Sequence, residues 1–465
     1  MKKEDISGPD ESVQSPKRKA LKLAIASTAM ILIIVFMLVK IIPLVTASPI
    51  ISVDYLTKYN KATKPTGYDP NKNAAPYYKQ AFESLVNQSD YTQELWWDVW
   101  PADMNEAELN VLSNWLIANS EALDYLKRAA QKPYYWVEQY SEDNSLEKVI
   151  DFSALAKFRQ SIDCLDLDTR LKASQGQIET ALENVIDIQK ISGHLYSSKV
   201  LMEEFTAPSF TGRLCRTALT ILDREQVNST ILANFQDQLE QQLHQVPKGF
   251  VYDADKLGNY DIIQRVFADD GSGDGRLIPG KYLDFYSIPE LRLRFYLGAV
   301  WMSLSNPGKL QTTELTRKLY ELLNELGQKT PWQLHQQGTG HEEQVWKLTQ
   351  GNYYVRHVAS YKGGLCIRRQ EENTNIKALI TSVALLRYKG DKGQFPEDLD
   401  KLMSSDYLNE LPMDPYSNGT LIYKLVGDSF TLYSLGADFD DDGGIQSKWG
   451  RNEEGGDRVF WPVEQ

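Results

Sequence analysis

Apolar and polar positions alternate in three different ways along the chain. Residues 24–45 are predominantly apolar, and their one charge is Lys40, near the far end. At ~1.5 Å per residue, such a run spans about 30 Å of hydrocarbon, with the Lys40 stem long enough to snorkel outward. Lys17-Arg18-Lys19 precede it, and the excess of positive charge on that side predicts a cytoplasmic N-terminus. A cleaved signal peptide ending at Val45-Thr46-Ala47 is the rival reading. A typical signal core is roughly 7–15 residues, so length favours an uncleaved anchor. The expected divisions are a polar cytoplasmic tail (1–19), a transmembrane helix (20–46) and a Thr/Lys/Asn/Pro-rich tether (47–72).

Helical spacing dominates from residue 73 to about residue 389. One amphipathic helix runs up to Leu85. Leu109, Leu112, Leu116, Leu123 and Leu126 then share one face of residues 106–130. Residues 152–173 and 178–195 read as a helical pair turning at Gly176, and 205–222 with 229–243 as another. The pattern breaks across 253–280, then resumes at 289–303 and 312–326. Residues 353–386 are either one helix or two divided at Gly363-Gly364. Ile376, Leu379, Ile380, Val383 and Leu386 lie on one face there, suited to packing on a C-terminal sheet. The fold class expected is mainly α: irregular helical hairpins over 73–352, followed by an α+β module over 353–465.

The third regime begins where that helix stops at Gly390 and Gly393. Leu411-Pro412 and Asp414-Pro415 force extended or turn backbone. Short strands are predicted at 421–426 and 430–435, joined by the hairpin signal Gly427-Asp428. The second strand runs into Asp438-Phe439-Asp440-Asp441-Asp442-Gly443-Gly444. Asp438, Asp440 and Asp442 before Gly443 form the D-x-D-x-D-G half of a calcium loop. A hard cation takes six to eight oxygens, and alternate acids on a tight loop converge on one ion. The bidentate Glu of an EF-hand falls where Trp449 stands, so the remaining oxygens must come from backbone carbonyls, water, or Glu453, Glu454 or Asp457. The alternative is a solvated acidic turn, in which four neighbouring carboxylates repel one another without a cation.

This stretch resembles the C-terminal globular domain of the type II secretion major pseudopilins. The matching residues are Ala384, Leu385, Tyr388, Gly393 and Pro396, then Pro412, Asp414 and Pro415, then Tyr433 through Asp438. The resemblance covers the last fifth of the chain. It implies a helix on a short sheet and one calcium held by carbonyls and aspartates. Asp438 matches the first such aspartate, and Asp457 a later one ahead of Trp461. The family's basic leader, Gly cleavage site and Glu-bearing N-terminal helix have no counterpart, so a fold and an ion carry over rather than a place in a filament. Residues 171–191 look like the heart of a tetratricopeptide hairpin, with Gly176 at the turn and Ala181 at the small crossing position. No 34-residue period follows, which argues against an array.

Charge and chemistry narrow the function. The chain of 465 residues has a net charge of −13, and its first 47 residues are net basic, so the remainder is more acidic still. Such a surface repels nucleic acid. Cys164, Cys215 and Cys366 are too scattered for a disulfide framework or zinc site. His194, His244, His335, His341 and His357 show no paired-ligand spacing. Asp270, Ser272, Asp274 and Gly275 imitate half a calcium loop, but a flexible connector accounts for them. Ser145-x-x-Lys148 lacks the companion elements of an acyl-transfer site. The aromatic clusters Trp96, Trp97, Trp100 and Tyr134, Tyr135, Trp136, Tyr140 suit interhelical packing, a partner patch or sugar stacking. The expectation is a single-pass protein of a bacterial inner membrane, its bulk extracytoplasmic, with a structural or protein-interaction role and no catalysis. An envelope hydrolase or glycan-binding protein, its site assembled from distant residues, is the alternative.

Overall fold

A computed structural model describes residues 16–87, 99–146, 152–245, 252–285, 293–360, 362, 364–447 and 455–463. With 65% helix and 6% strand, the protein is mainly α, as the spacing predicts. The first helices are α1 (Pro16–Phe36) and α2 (Ile42–Thr46), then α3 (Tyr55–Thr63), α4 (Ala75–Ser84), α5 (Glu106–Ala118) and α6 (Ser120–Ala130). The central ones are α7 (Phe152–Ser174), α8 (Ile178–Ser197), α9 (Leu201–Arg224), α10 (Ser229–Gln245), α11 (Asp253–Val266), α12 (Pro279–Phe285) and α13 (Leu293–Ser305). There follow α14 (Lys309–Leu326), α15 (Pro331–Gln336), α16 (His341–Leu348), α17 (Tyr353–Ala359), α18 (Leu365–Lys392) and α19 (Leu399–Ser404). Strands β1 (Ile422–Val426), β2 (Ser429–Ser434) and β3 (Arg458–Trp461) form one antiparallel sheet in that order.

The chain divides into two compact units, each assembled from two separated segments. One comprises Met1–Ser52 with Ile263–Thr312, the other Val53–Ile262 with Thr313–Gln465. In the first, Ala20–Thr46 makes a 27-residue helix long and apolar enough to cross a membrane. A π turn, Met37–Ile41, interrupts it just before Pro43. Proline has no N–H and its ring crowds the carbonyl four residues back, so the ladder widens there, and Ile42 donates to the Met37 carbonyl. At the C-terminal end of this helix α12 packs on α2 and on α13. The half calcium loop around Asp270 lies in this unit and is held by its own protein contacts. Asp269 accepts from the N–H groups of Gly271 and Gly273 and from Lys309, and Asp274 caps the Leu310 N–H at 3.0 Å.

The second unit is built on antiparallel helices. The α7–α8 turn closes with Gly176 in the left-handed region (φ 77). Gly176 donates to the Ala173 carbonyl and Gln177 to the Lys172 carbonyl, both at 2.9 Å, the paired bonds that satisfy a helix C-terminus. Small residues let the helices approach: Ala181, Ala207 and Ala218 are fully buried. α9 packs on α7, α8 and α18, and α18 also packs on α10 and on the sheet. Helix α18 ends at Gly393 (φ 80), whose N–H returns to the Lys389 carbonyl. β1 and β2 pair from Ile422↔Tyr433 to Val426↔Ser429 across Gly427 (φ 59), so the predicted hairpin stands within a residue at each end.

Three expectations change. The stretch 47–72 is not an open tether: α3 lies within it, and Asn60 and Gln139 exchange two 2.8 Å bonds between side chain and backbone. The break placed at 253–280 begins only after α11, a helix whose inward groups are partly polar. Asp255 takes bonds from Tyr320 and Lys362, and Asn259 donates to the Tyr320 hydroxyl at 2.6 Å. The boundary at 352/353 is crossed by one continuous apolar cluster, running from Ala74 and Trp115 through Ile188 of α8 to Leu379, Phe430 and Trp461. Residues 353–386 resolve as two helices, α17 and α18, as one of the two readings held.

Candidate functional site

The acidic loop leaves β2 through Gly436 (φ 78), where a Cβ would meet the Gly456 carbonyl oxygen at 2.7 Å. Only glycine allows the loop to lie this close to the segment entering β3. The two segments are then zipped. Ser447 N–H donates to the Asp457 carbonyl and Asp457 N–H to the Ile445 carbonyl, each at 2.6 Å. Asp438 Oδ2 accepts from the Gly456 N–H at 3.0 Å, and Asp457 Oδ2 from the Gly444 N–H at 2.7 Å. Gly443 (φ 80) and Gly444 (φ 90) supply the turn between. At the tip Phe439, itself left-handed (φ 64), stacks on His335 with ring centroids 4.2 Å apart.

The four sequence-predicted carboxylates are not equivalent. Asp457 is fully buried, and its Oδ1 has no hydrogen-bond partner among the described residues. Burial pushes its carboxyl up to about 6 against the pull of the Gly444 N–H. Asp442 is also raised, first by desolvation, then by the charges of Asp438 and Asp440, and its Oδ2 is likewise unpartnered among the described residues. Asp438 takes part through Gly456, whereas Asp440 is exposed and accepts from the N–H of Asp441. Asp441 turns the other way, to the Tyr433 hydroxyl at 2.7 Å and toward Lys424 at 3.7 Å. Among the described residues no three His, Cys, Asp or Glu side chains converge as a ready metal-binding group. Glu453, Glu454 and Trp449 lie outside the described residues.

Asp414, from the proline-flanked turn, plays a structural part. Its buried carboxylate accepts from Ser434 Oγ (2.7 Å), Tyr416 N–H (3.0 Å) and Leu435 N–H (3.1 Å), tying the turn to the end of β2.

A second feature was missed in the sequence. Two adjoining hollows of about 670 and 820 Å³ run along α9. They share Gly212, Arg216, Asn375 and Arg458. Arg159 of α7, Arg213 and Arg216 of α9, Arg368 of α18 and Arg458 of β3 line the first. Arg213 pairs with Asp163 at 2.6 Å, and Arg368 lies over the Phe205 ring at 4.9 Å. Besides Asp163, two acids share this wall. Glu371 accepts from the Tyr416 hydroxyl at 2.6 Å and is pushed up to about 7 by burial. Glu372 is buried with both carboxyl oxygens unpartnered among the described residues, and burial raises it well above the usual range. The hollow is therefore net basic on an acidic protein. Its arginines come from residues up to 299 positions apart in sequence (Arg159 and Arg458); only the Arg213/Arg216 spacing on α9 could have hinted at it.

No catalytic constellation emerges among the described residues. His194 is buried between the Tyr78 hydroxyl and the Lys132 carbonyl, each at 2.7 Å, and burial holds it down to about 4. Tyr135 and Trp136 are buried and Tyr134 donates to the Asp69 carbonyl, so this aromatic group packs the interior; Tyr140 is exposed. Cys164 and Cys215 are buried free thiols. Trp96, Trp97, Lys148 and the Cys366 side chain lie outside the described residues. Comparison with protein families, with curated proteins and with solved structures returned no match.

Proposed function

We propose that the chain is a single-pass, membrane-anchored interaction protein whose C-terminal sheet is stabilised by calcium. The observation that carries the ion is Asp457: a fully buried carboxylate with an orphaned oxygen, beside the raised Asp442 on a doubly zipped loop. An unpaired buried charge is costly, and a bound cation is the chemistry that offsets it. Asp438, Asp442 and Asp457 would hold the ion, with Asp440 at the rim and loop carbonyls and water completing the oxygen shell. The order of helix, proline-flanked turn, hairpin and Y-S-L-G-A-D loop supports the likeness to the major pseudopilins. A relation to type II secretion or pilus-like assemblies of a bacterial inner membrane is part of this reading.

Lys17-Arg18-Lys19 before the span support a cytoplasmic N-terminus, with the rest of the chain outside. The arginine-lined hollow supports the interaction role: it suits an acidic segment of a partner protein, since guanidinium forks recognise carboxylates in pairs. The experiment is calorimetric melting of the detergent-solubilised full chain in chelator, magnesium or calcium. Calcium at a hundredfold excess over Kd should stabilise by about 2.7 kcal/mol. Magnesium should do far less, because it needs octahedral geometry and holds its waters. An unchanged melting temperature in calcium would leave the acids as a solvated turn.

A further inference from the structure

We infer that the two hollows along α9 form one trough, and that it holds about eight residues of an extended, acidic peptide segment. The inference rests on the interaction role proposed above and specifies the partner which that role requires.

Charge is the first argument. Acids outnumber bases 63 to 50 over the chain, yet the trough reverses that balance. Five arginines line the first hollow, and the second adds Arg170 of α7 and Arg224 of α9. The acids on the same walls are Asp103, Asp163, Glu371 and Glu372. Asp103 is held by Arg224 at 2.9 Å and Asp163 by Arg213 at 2.6 Å, while Arg170 is held by Asp166 at 2.8 Å. Burial favours the neutral form of Glu371 and Glu372. The Arg216 guanidinium is exposed, lies where the hollows meet, and makes no hydrogen bond or ion pair among the described residues. The trough therefore presents unneutralised cations to a ligand in a surface that is otherwise acidic.

Guanidinium forks accept carboxylates and phosphates alike, so the acceptors decide between them. Glu372 is 4% exposed, and both its oxygens lack partners among the described residues. Ser209 and Thr220 donate their hydroxyl protons to carbonyls of α9, those of Thr206 at 2.7 Å and Arg216 at 2.9 Å. Their oxygens keep acceptor capacity. A ligand for these walls must bring donors as well as negative charge. Peptide N–H groups supply them, whereas a phosphodiester backbone has none.

Length is the third argument. The α9 residues of the trough run from Phe205 to Arg224, about 28 Å at 1.5 Å per residue. That is far longer than a single anion, and it matches about eight residues of extended chain at roughly 3.4 Å each. Gly212 lies on the border that the hollows share, so no side chain of its own divides them there. A Cβ at that position would meet nothing within 4 Å.

The test is fluorescence anisotropy of labelled octaglutamate with the full chain in non-ionic detergent and calcium. Octaglutamate should bind and octaglutamine should not, and triglutamate should bind at least about tenfold more weakly. Arg216→Gln should weaken octaglutamate about tenfold. Gly212→Leu, which sets a side chain between the hollows where there is room for it, should weaken binding as much while melting with the parent. Equal affinity of parent and both variants overturns the trough. Displacement of the probe by inorganic phosphate at lower concentration than by unlabelled octaglutamate also overturns it, and makes the site one for phosphate. A chain that binds no octaglutamate yet cross-links to neighbouring proteins in its native membrane would keep the interaction role and lose this site.

Discussion

Replacing Glu372 by Gln should make the protein less sensitive to alkaline pH. Glu372 sits on α18 with 4% exposure and two oxygens unpartnered among the described residues, and burial raises its carboxyl far above the ordinary range. The native state therefore keeps a proton that the unfolded chain releases above about pH 4.3. A carboxyl raised on folding contributes its full stability below the unfolded value and loses it as pH climbs toward the folded one. For one proton the slope is at most about 1.4 kcal/mol per pH unit, so up to roughly 2.7 kcal/mol is lost between pH 5 and pH 7. Gln has the same shape and does not titrate. Between pH 5 and pH 7 the variant should gain stability relative to the parent by as much as that amount. Glu203 and Glu371, both pushed up to about 7, and Glu204, pushed up to about 8, titrate over the same range. They steepen the pH dependence of both proteins and so largely cancel in the comparison. The assay is urea unfolding of the detergent-solubilised full chain at pH 5, 6, 7 and 8, followed by tryptophan emission. A difference between parent and variant that stays constant across those pH values would refute the reasoning.

Asp457→Asn should change sign with the ion: in chelator at pH 7.5 it removes a carboxyl raised to about 6 and should stabilise, and in calcium it should lower the melting temperature. Equal shifts in both conditions would place the ion elsewhere. Asp414→Ala strands Ser434 Oγ and the N–H groups of Tyr416 and Leu435, and at about 1–3 kcal/mol for a stranded buried group it should cost roughly 3 kcal/mol or more in urea unfolding. Asn60→Ala breaks both bonds to Gln139 and should cost about 1–3 kcal/mol; an unaltered unfolding midpoint would restore the idea of a loose tether.

Where the sequence was legible, the reason was periodicity joined to punctuation. Gly176 follows α7 and Gly393 ends α18, each in the left-handed region that glycine allows. The β1–β2 hairpin could be placed because alternation flanks Gly427-Asp428. Helix α11 escaped because part of what it buries is polar: Asn259 and Asp261 are turned inward, and a hydrophobicity pattern cannot register a buried hydrogen-bonded pair. Helix α3 escaped because only Leu56 and Thr63 are buried along it. Strand β3 is four residues long, too short for alternation to declare itself. The acidic loop was visible because its ligand candidates alternate within five residues, and Asp457 came from the family pattern. The arginine-lined hollow was not visible, because no local rule brings Arg159, Arg368 and Arg458 to one place; only the packing of α7, α9, α18 and β3 does.

The interleaving of the two units bears on how this protein is made and how it can be taken apart. Residues 53–262 separate the anchor segment from the remainder of its own unit. At about 5–20 residues per second, the apolar helix is synthesised roughly 13–50 s before α12 and α13 of its own unit are complete. The first unit therefore closes only after the ribosome has passed Thr312. The second unit waits longer, for α18 and the sheet. No contiguous clone contains either unit alone. A truncation at 352/353 would cut through a shared core, so dissecting this protein calls for excision of 263–312 and rejoining of the flanks, not for a stop codon or a new start.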